Sequence, residues 1–516
     1  MGKALFIAEK PSVAQEFAKA LKVSGRKGDG YIESDQAIVT WCVGHLVTMS
    51  YPDAYDPALK RWSMETLPFL PKTFKYQVID DVKKQFTIVS GLLNRADVDT
   101  IYVCTDSGRE GEYIYRLVEQ MAGVKGKKRR RVWIDSQTEE EILRGVREAK
   151  DLAEYDNLAA SAYLRAKEDY LMGINFSRVL TLKYGPSVAS YLREKRAVLS
   201  VGRVMTCVLG MVVRREREIR EFVKTPFYRV IGSFDVPDHE TAVIEAEWRA
   251  VEGSRYFGTP ALYKENGFKE KKTAEELIRF LSADPMEGTL LALDRKKETK
   301  NPPLLYNLAE IQNDCSKMFK ISPDETLKII QELYEKKLVT YPRTDARVLS
   351  TAVSKEIYKN IGGLRNFAPL ADFAAKALDS GTWKQIAKTK YVNDKQITDH
   401  YAIIPTGQGF GALRSLNPLA AKVYELIGRR FLSIFYPPAV YQKFSLRIEK
   451  QGEQFFAAYK VLAEAGYLEV ANVPSKKKAE SSGNSKAENS GASQDSQAEE
   501  LDPGHDEKAK DLLAML

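Results

Sequence analysis

The order of apolar and polar residues predicts alternating strands and helices over the first 135 residues. Short apolar runs at 3–8, 37–43 and 100–105 indicate buried strands. Pro11 opens a segment with apolar residues at helical spacing, and residues 109–122 are also helical in pattern. This succession is typical of an α/β domain.

The rest of the chain changes character several times. Residues 138–184 and 204–222 are mainly helical in pattern, whereas short alternating strands are expected from 226 to about 295. Two helical patterns follow within 305–338, and another lies at 418–436. No internal repeat recurs at a fixed period along the sequence.

The end of the chain has a composition of its own. From Pro474 to about Pro503 it is rich in Ser, Lys, Glu, Gly and Ala and contains no aromatic residue. Such a segment cannot bury enough apolar surface to fold. We therefore expect 474–516 to be a low-complexity tail that is disordered for most of its length.

Length and charge narrow the class of protein. The chain has 516 residues and a net charge of +8, which suits several domains and a polyanionic partner. Basic clusters at 125–131 and 214–220 fit this partner or an ordinary solvated face equally well. No apolar run approaches the ~20 residues that span a bilayer, and the first apolar run is too short for a signal peptide. We expect a soluble, cytoplasmic protein with no membrane partner.

The cysteines indicate neither a zinc ribbon nor a disulfide framework. Cys42, Cys104, Cys207 and Cys315 form no CxxC pair. All four have apolar neighbours in the sequence. We predict that all four are buried, reduced thiols.

One segment carries the clearest chemical signal. Tyr341 is followed by Arg343 and Arg347 within six residues. A phenol (pKa about 10) is a poor nucleophile at neutral pH, and its attack on a phosphodiester produces negative charge. A nearby guanidinium can bind the phosphate and stabilise that charge. By itself the segment fits an ordinary turn after a helix about as well.

Acidic residues follow two predicted strands. Glu9 and Lys10 come after the first strand, at the sheet edge where ligands bind in open α/β folds. Asp106 ends the strand at 100–105, and Glu110 lies four residues further on. These carboxylates suit Mg²⁺. A surface ion pair and carboxylates stabilised by a helix N-terminus are the alternatives.

Two further motifs are compatible with phosphate contact. Residues 199–204 (LSVGRV) place small residues and one arginine before a helix, which also fits a simple loop. His400, one of four histidines, can bond a phosphate or orient a carboxylate, although a lone histidine is more often structural.

In this order the motifs resemble the type IA DNA topoisomerases, and the bacterial topoisomerase III branch in particular. The resemblance runs from Lys3 to about Val470. The segments that carry it are FIAEKPSVA (6–14), TWCVGHL (40–46), RW and then LPFLP (61–71), TDSGREGE (105–112), YLRAKEDYLMGINFSR (163–178), LSVGRV (199–204), NPPLLYNLAEIQ (301–312), LYEKKLVTYPRTDAR (333–347) and DHYAIIPT (399–406).

The resemblance implies a multidomain α/β, α and β fold, in which an N-terminal Toprim domain precedes a toroidal type IA core around a hole for DNA. The expected parts are a Toprim metal-binding domain (1–150), the first part of a DNA-binding base (151–225), the first part of a β-rich arch (226–297), a cap domain with the nucleophilic tyrosine (298–410), the return part of the arch (411–473) and the tail (474–516).

The resemblance also implies roles for individual residues. Tyr341 would form a 5′-phosphotyrosine link with single-stranded DNA, and Arg343 would stabilise the phosphate. Lys10 would contact the scissile phosphate, Glu9 would bind metal or relay a proton, and His400 would order the site.

Ligands for metal and DNA are implied in the same way. Mg²⁺ would be held by Glu9, Asp106 and Glu110. Contacts to DNA would come from Trp62, Tyr170, Arg178, Ser200, Val201, Gly202, Arg203, Val204, Met205 and Arg343. No nucleotide is expected, since the covalent link preserves the phosphodiester energy and the sequence has no GxxxxGK[ST] phosphate loop.

The sequence departs from the family pattern in several places. Gly108 replaces the middle aspartate of DxDxE, which suggests fewer metal ligands, and Tyr170, Met205 and Cys207 replace a usual tryptophan, glutamine and proline. The Thr-x-Pro-Pro-like second part of the base and the zinc-binding modules are not found. The sequence therefore predicts one of two arrangements. Either this is a shortened or split enzyme in which a partner chain supplies the missing base, or the base closes differently.

Three functions remain in view. The first is an ATP-independent, Mg²⁺-dependent topoisomerase, associated with the nucleoid, that relaxes negative supercoils or decatenates DNA. The second is a catalytically impaired DNA-binding remnant or a subunit of a split topoisomerase. The third is another Toprim enzyme, such as a nuclease or primase, against which the tyrosine segment argues.

Overall fold

The computed structural model describes residues 2–237, 239–397, 400–471 and 499–501. The strands in this part of the chain are β1 Lys3–Ala8, β2 Arg26–Gly28, β3 Tyr31–Glu33, β4 Ala37–Trp41, β5 Val47–Met49, β6 Tyr76–Val78, β7 Val98–Cys104, β8 Lys128–Arg131, β9 Lys150–Asp151, β10 Ile231–Val236, β11 His239–Arg249, β12 Leu262–Lys264, β13 Gly267–Phe268, β14 Thr289–Lys300, β15 Ala439–Lys450, β16 Glu453–Glu464 and β17 Glu499–Leu501. The helices are α1 Pro11–Ala20, α2 Lys83–Leu93, α3 Arg109–Ala122, α4 Glu139–Arg147, α5 Asp156–Leu192, α6 Arg203–Glu221, α7 Lys271–Leu281, α8 Leu308–Phe319, α9 Pro323–Glu335, α10 Thr351–Gly363, α11 Ala371–Asp379, α12 Pro418–Ser433 and α13 Leu468–Ala471.

The chain divides into two compact units. The first consists of Met1–Glu221, Tyr306–Phe367 and Val392–Ile427. The second consists of Phe222–Leu305, Ala368–Tyr391 and Gly428–Leu516. The chain therefore leaves and re-enters each unit, and elements distant in sequence share one unit.

A seven-stranded sheet in the order β2-β3-β4-β1-β7-β8-β9 lies at the N-terminal end of the first unit. Its central pairs, β1 with β4, β1 with β7 and β7 with β8, are parallel. The predicted strands at 3–8, 37–43 and 100–105 correspond to three of these strands. The helices expected after Pro11 and at 109–122 are confirmed as α1 and α3.

Both faces of this sheet are covered by helices. Leu5 and Ile7 of β1 face one apolar cluster, which includes residues of α2 and α3. Phe6 and Ala8 face a second cluster with α1 and α4. Since successive side chains of a strand point to opposite faces, one apolar run fills two cores, which explains its continuous hydrophobicity.

The second unit is built on an antiparallel sheet in the order β10-β11-β16-β15-β14, with β17 added in parallel beside β16. Burial along β16 alternates residue by residue, so one face of the sheet packs inward. The strands expected from 226 to 295 are present, but α7 interrupts them. Its apolar side chains, Ala274, Leu277 and Leu281, pack into the same core. Of the predicted tail, only 499–501 lie within the described residues.

One prediction from local sequence is wrong, and it concerns the burial of a cysteine. Cys42, Cys104 and Cys315 are buried as expected, whereas Cys207 on α6 is exposed. The apolar residues beside Cys207 do not bury it, because no described residue of α6 is itself buried. In the basic cluster at 125–131, Arg131 is fully buried, so neither of the two interpretations left open for that cluster describes this residue.

No helix within the described residues has both the length and the apolar character that crossing a membrane requires.

Candidate active site

Glu9 and Asp106 lie at the carboxyl ends of neighbouring strands. β1 and β7 pair in parallel, with Ala8 opposite Cys104, so both chains leave the sheet at one edge. The Asp106 N–H donates to Oε2 of Glu9 at 3.2 Å. Glu9 is 6% exposed, and burial together with the Asp106 charge raises its pKa to about 7, although Lys10 opposes the shift. The two carboxyl groups therefore form a close, poorly solvated pair.

The turn that carries Asp106 is held by a buried arginine. The Arg131 guanidinium donates to the carbonyl oxygens of Thr105 and Asp106 at 2.8 Å each, and to Oε1 of Glu112 at 2.5 Å. A Cβ on Gly111 would lie 2.0 Å from the Asp106 carbonyl oxygen. Only glycine fits there, which lets the first turn of α3 pack directly against the acidic residue.

Lys10 bridges this pair and the end of α9. Its Nζ lies 4.0 Å from Oδ2 of Asp106 and 4.0 Å from Oε1 of Glu335. The same Asp106 oxygen is buried without a hydrogen-bond partner among the described residues. An orphaned carboxylate oxygen beside a second carboxylate fits Mg²⁺, which is usually held by one or two carboxylates plus water and phosphate.

Glu110 lies apart from these two carboxylates. It is the second residue of α3 and is largely exposed. Its carboxylate accepts a hydrogen bond from Nε2 of His45 at 2.6 Å. That bond lowers the pKa of the Glu110 carboxyl. The described residues contain no group of three or more acidic, histidine or cysteine side chains arranged to hold a metal.

Tyr341 lies in the same unit, close to the acidic pair. It is 7% exposed, and its main-chain N–H donates to the Asp135 carbonyl at 2.9 Å. Its ring centroid is 4.4 Å from that of His400 and 5.4 Å from that of Tyr334. Burial and the nearby Asp106 raise the pKa of Tyr341, while Arg343 counteracts them. A phenol in this position needs cationic help to attack.

His400 and Arg343 both lie beside Tyr341, and Arg343 brings a positive charge to it. Nδ1 of His400 lies 2.5 Å from Oδ1 of Asp135, and its Nε2 donates to the Ser107 carbonyl oxygen. Arg343 is exposed. Both residues line a cavity of about 450 Å³ with Tyr341, Gly108 and Glu110. The structure thus brings Tyr341, Arg343, His400, Glu9, Lys10 and Asp106 into one region of the first unit.

The aromatic and cationic residues expected to contact DNA are arranged around α5. The Arg178 guanidinium lies 5.3 Å from the Trp62 ring and donates to the Leu59 carbonyl at 3.2 Å. Trp62 lines a groove of about 540 Å³ whose basic members are Lys60, Arg61, Lys195 and Arg196. The Tyr170 hydroxyl donates to the Ser50 carbonyl at 2.7 Å. Arg178 and Tyr170 are thus already bonded to the main chain.

The segment from Ser200 to Met205 runs from the connection between α5 and α6 into the first turn of α6. The Val201 N–H donates to Oγ of Ser177 at 2.8 Å, and the Arg203 guanidinium donates to Asp169 at 2.8 Å. Gly202 accepts the first bond of α6, from Thr206 at 2.9 Å. Ser200, Arg203, Val204 and Met205 are exposed.

Asp135, His45 and Tyr334 were missed by the reading of motifs. Asp135 could have been found by the reasoning that located Glu9 and Asp106, because β8 is the next parallel strand beside β7. A carboxylate shortly after that strand falls at the same edge of the sheet. His45 follows β4, which pairs in parallel with β1, so the same reasoning could have found it. Tyr334 lies within the quoted segment 333–347, but its own type and position give no signal of a role.

Comparison with known proteins places this geometry in a family. A family model described as DNA topoisomerase matches residues 153–509, and one described as Toprim domain matches residues 4–136. Proteins named DNA topoisomerase 3 from Bacillus thuringiensis (strain Al Hakam) and Bacillus subtilis (strain 168) are 36% and 35% identical over 91% of this chain. The match covers 60% of each relative, so the chain spans less than two thirds of their length.

A solved structure gives the same result for the fold. Full-length topoisomerase I from Thermotoga maritima aligns with a TM-score of 0.60 and 20% identity, over 91% of this chain and 68% of that one. The expected succession of a Toprim domain and a topoisomerase core is confirmed. With a matching family model over more than half of its length, this chain belongs to the type IA DNA topoisomerase family.

Proposed function

We propose that this chain cleaves and reseals single DNA strands through Tyr341. The observation that carries the proposal is the burial of a tyrosine beside a carboxylate pair, with Arg343, Lys10 and His400 around it. The phenolic oxygen bonds to phosphorus while the bond to the 3′ oxygen breaks. The phenol loses its proton and the 3′ oxygen gains one, giving a 5′-phosphotyrosine and a free 3′ hydroxyl. The reverse step reseals the strand without a nucleotide.

The cations and Glu9 have distinct tasks in this scheme. Arg343 binds the phosphate at the exposed end of the site, and Lys10 binds it beside the carboxylates. Glu9 relays a proton to or from the 3′ oxygen, which its place at the sheet edge supports. His400 orders the ring of Tyr341 from its buried position.

Mg²⁺ would be held by Glu9 and Asp106, with Glu110 as a more distant, exposed carboxylate. The ion would supply positive charge to the phosphate and the leaving 3′ oxygen. The orphaned Asp106 oxygen supports this assignment.

A single strand of DNA is the substrate that the surface around α5 supports. The groove with Trp62 offers one aromatic ring for stacking on bases and four basic side chains for phosphates. Tyr170, Arg178 and the segment 200–205 extend this surface along α5. Relaxation or decatenation, and association with the nucleoid, would follow from such binding.

The exposed apolar side of α6 supports the proposal of a partner segment. We define the α6 surface by its exposed apolar side chains, Val204, Met205, Val208, Leu209, Met211, Val212, Val213 and Ile219. A groove of about 770 Å³ on α5, lined mainly by apolar side chains such as Leu171 and Phe176, lies in the same unit. Apolar patches of this extent mark interaction sites.

We propose one occupant for the α6 surface. Each Bacillus relative has a portion outside its match to this chain. A polypeptide equivalent to that portion, with an apolar face, would cover the α6 surface from Val208 onward and complete the DNA-binding base. The first turn of α6 would stay open to DNA. The division of the chain into Toprim domain, base, arch and cap at the expected boundaries is part of this proposal.

Relaxation of negatively supercoiled plasmid tests the function. The chain, with Mg²⁺ and without ATP, should relax the plasmid, either alone or after addition of the remaining portion of the Bacillus subtilis relative. EDTA should stop the reaction. Relaxation only after the addition would identify a subunit of a split enzyme. Salt-sensitive DNA binding without relaxation or covalent attachment in either mixture would instead favour a non-catalytic remnant.

A further inference from the structure

His400 lies between two hydrogen-bond acceptors. Its Nδ1 is 2.5 Å from Oδ1 of Asp135, and its Nε2 contacts the Ser107 carbonyl oxygen. A carbonyl oxygen only accepts, so Nε2 carries a hydrogen. An ionised carboxylate also only accepts, so Nδ1 carries one as well. Together the two contacts fit the imidazolium form of His400.

The imidazolium ring lies against the nucleophile. Its centroid is 4.4 Å from that of Tyr341, with the planes tilted by 40°, and 6.1 Å from the stacked ring of Trp133. His400 is buried, so water screens its charge weakly. A fixed positive charge at this distance stabilises the negative charge that develops when the phenol attacks a phosphate.

Asp135 contacts the nucleophile's segment as well. Its carbonyl oxygen accepts the Tyr341 N–H at 2.9 Å. Its own N–H donates to Oε1 of Glu141 at 3.2 Å, which anchors it to α4. The preceding residue, Ile134, exchanges hydrogen bonds with the Ser107 hydroxyl at 2.9 and 3.0 Å. One short segment therefore fixes the tyrosine main chain, the histidine ring and the turn after Asp106.

We propose that Asp135 is a positioning residue for strand cleavage, which holds His400 as an imidazolium against Tyr341. The inference rests on the proposed function insofar as Tyr341 is the nucleophile. Without the carboxylate, the Ser107 carbonyl would be satisfied by a neutral imidazole, because that contact needs only one ring N–H. The positive charge beside Tyr341 would then be lost while the fold and the ring contact remain.

Asp135→Asn tests this role in the full chain. The amide keeps the size of the side chain and can donate to Nδ1, so His400 should become a neutral Nε2–H tautomer. Formation of the covalent adduct with labelled single-stranded DNA should slow by about 10- to 100-fold, as is typical when a residue that orients a reacting group is changed. Asp97→Asn, at an exposed carboxylate paired with Arg95, is the matched control and should change nothing.

The protonation state of the His400 ring distinguishes a positioning role of Asp135 from a purely structural one. Nuclear magnetic resonance of the imidazole nitrogens can resolve His400, since the chain has only four histidines and His400→Gln identifies its signal. The wild type should show both ring nitrogens protonated, and Asp135→Asn should show one. A neutral His400 in the wild type would overturn the proposal, even if the variant fails to fold.

A double-mutant cycle completes the test. If Asp135 acts through His400, Asp135→Asn should add little to the loss that His400→Gln already causes. Fully additive losses would overturn the proposal, as would an unchanged adduct rate in a variant whose histidine has become neutral. Because the magnetic resonance measurement needs no DNA, the state of His400 can be decided even if the wild type forms no adduct.

Discussion

The cluster around Tyr341 and the α6 surface belong to the same compact unit but differ in which side chains are exposed to solvent. Tyr341 and Glu9 are buried, together with His400 and one oxygen of Asp106. On α6 the eight large apolar side chains are between 40% and 70% exposed. The cluster buries polar and ionisable groups, whereas α6 exposes apolar side chains to solvent.

Each arrangement lowers stability unless something compensates for it. A buried carboxylate pair costs free energy that a plain core would not, so its presence indicates a chemical use. An exposed apolar helix costs hydrophobic free energy until a surface covers it. The unit therefore assembles its chemical groups internally, whereas α6 leaves apolar side chains uncovered by the described residues.

The largest expected effect comes from neutralising Glu9. Glu9→Gln should slow covalent adduct formation by about 10²–10⁴-fold, the usual range for loss of a proton-transfer group. The melting temperature should stay or rise, because the change removes a buried carboxyl group held beside Asp106. Adduct kinetics and thermal unfolding measure the two effects. A Glu9→Gln variant that is slow only because it is unstable would contradict the proton-transfer role of Glu9. Glu148→Gln, at an exposed carboxylate, serves as the control.

Arg131 and Arg129 test how firmly the acidic turn is held. Both lie on β8, but Arg131 and its partner Glu112 are fully buried, whereas Arg129 is 45% exposed and its partner Glu119 is 11% exposed. Arg131→Leu should lower the free energy of unfolding by about 3–5 kcal/mol, because it breaks a fully buried ion pair. It also removes the donor to the Thr105 and Asp106 carbonyls and leaves Glu112 with Arg116 as its remaining cation. Arg129→Leu should cost about 1 kcal/mol or less. Equal costs in chemical denaturation would show that Arg131 is not the anchor.

Leu117 and Leu209 compare a covered helix with an uncovered one. Leu117 of α3 is 0% exposed and Leu209 of α6 is 61% exposed. Leu117→Ala should destabilise the chain by about 2–5 kcal/mol, and Leu209→Ala by about 0.5 kcal/mol or less. Leu209→Glu should change the stability of the chain alone equally little. It should abolish binding of the portion of the Bacillus subtilis relative that lies outside the match to this chain. A large loss of stability from Leu209→Ala would mean that α6 is already packed in solution.

The smallest effect concerns the acidic motif. A Cβ on Gly108 would meet nothing within 4 Å among the described atoms, so Gly108→Asp should fold normally. A third carboxylate near Asp106 should lower the Mg²⁺ concentration for half-maximal cleavage by roughly three- to ten-fold. Titration of the adduct yield with Mg²⁺ measures it, with Gly91→Asp as a remote control. An unchanged titration would place residue 108 outside the metal's reach.

Much of the first unit could be predicted from sequence because its signals are local. The apolar runs and Pro11 located β1, α1 and β7, and parallel pairing then required Glu9 and Asp106 to share an edge. Burial was less predictable. Arg131 looks like a member of a basic cluster, and only the fold brings Glu112 and two carbonyl groups around it.

The parts of the site that join distant segments were the hardest to predict. Asp135 and His400 are 265 positions apart, and no periodicity links them. The exposure of α6 was hidden for a related reason, since its apolar residues predict burial against a surface that the described residues do not provide. Sequence patterns indicate what a segment needs to bury, whereas the covering surface is a property of the assembled fold.

We expect the cleavage chemistry to reside in the buried cluster around Tyr341. The measurement to make is the transfer of end-labelled single-stranded DNA onto the protein, with Mg²⁺ and without ATP. The wild type should form a denaturation-resistant adduct through the 5′ phosphate, Tyr341→Phe should form none, and the exposed Tyr358→Phe should behave as wild type. An adduct that persists in Tyr341→Phe, or a folded wild type that binds DNA but never becomes attached to it, would contradict the account.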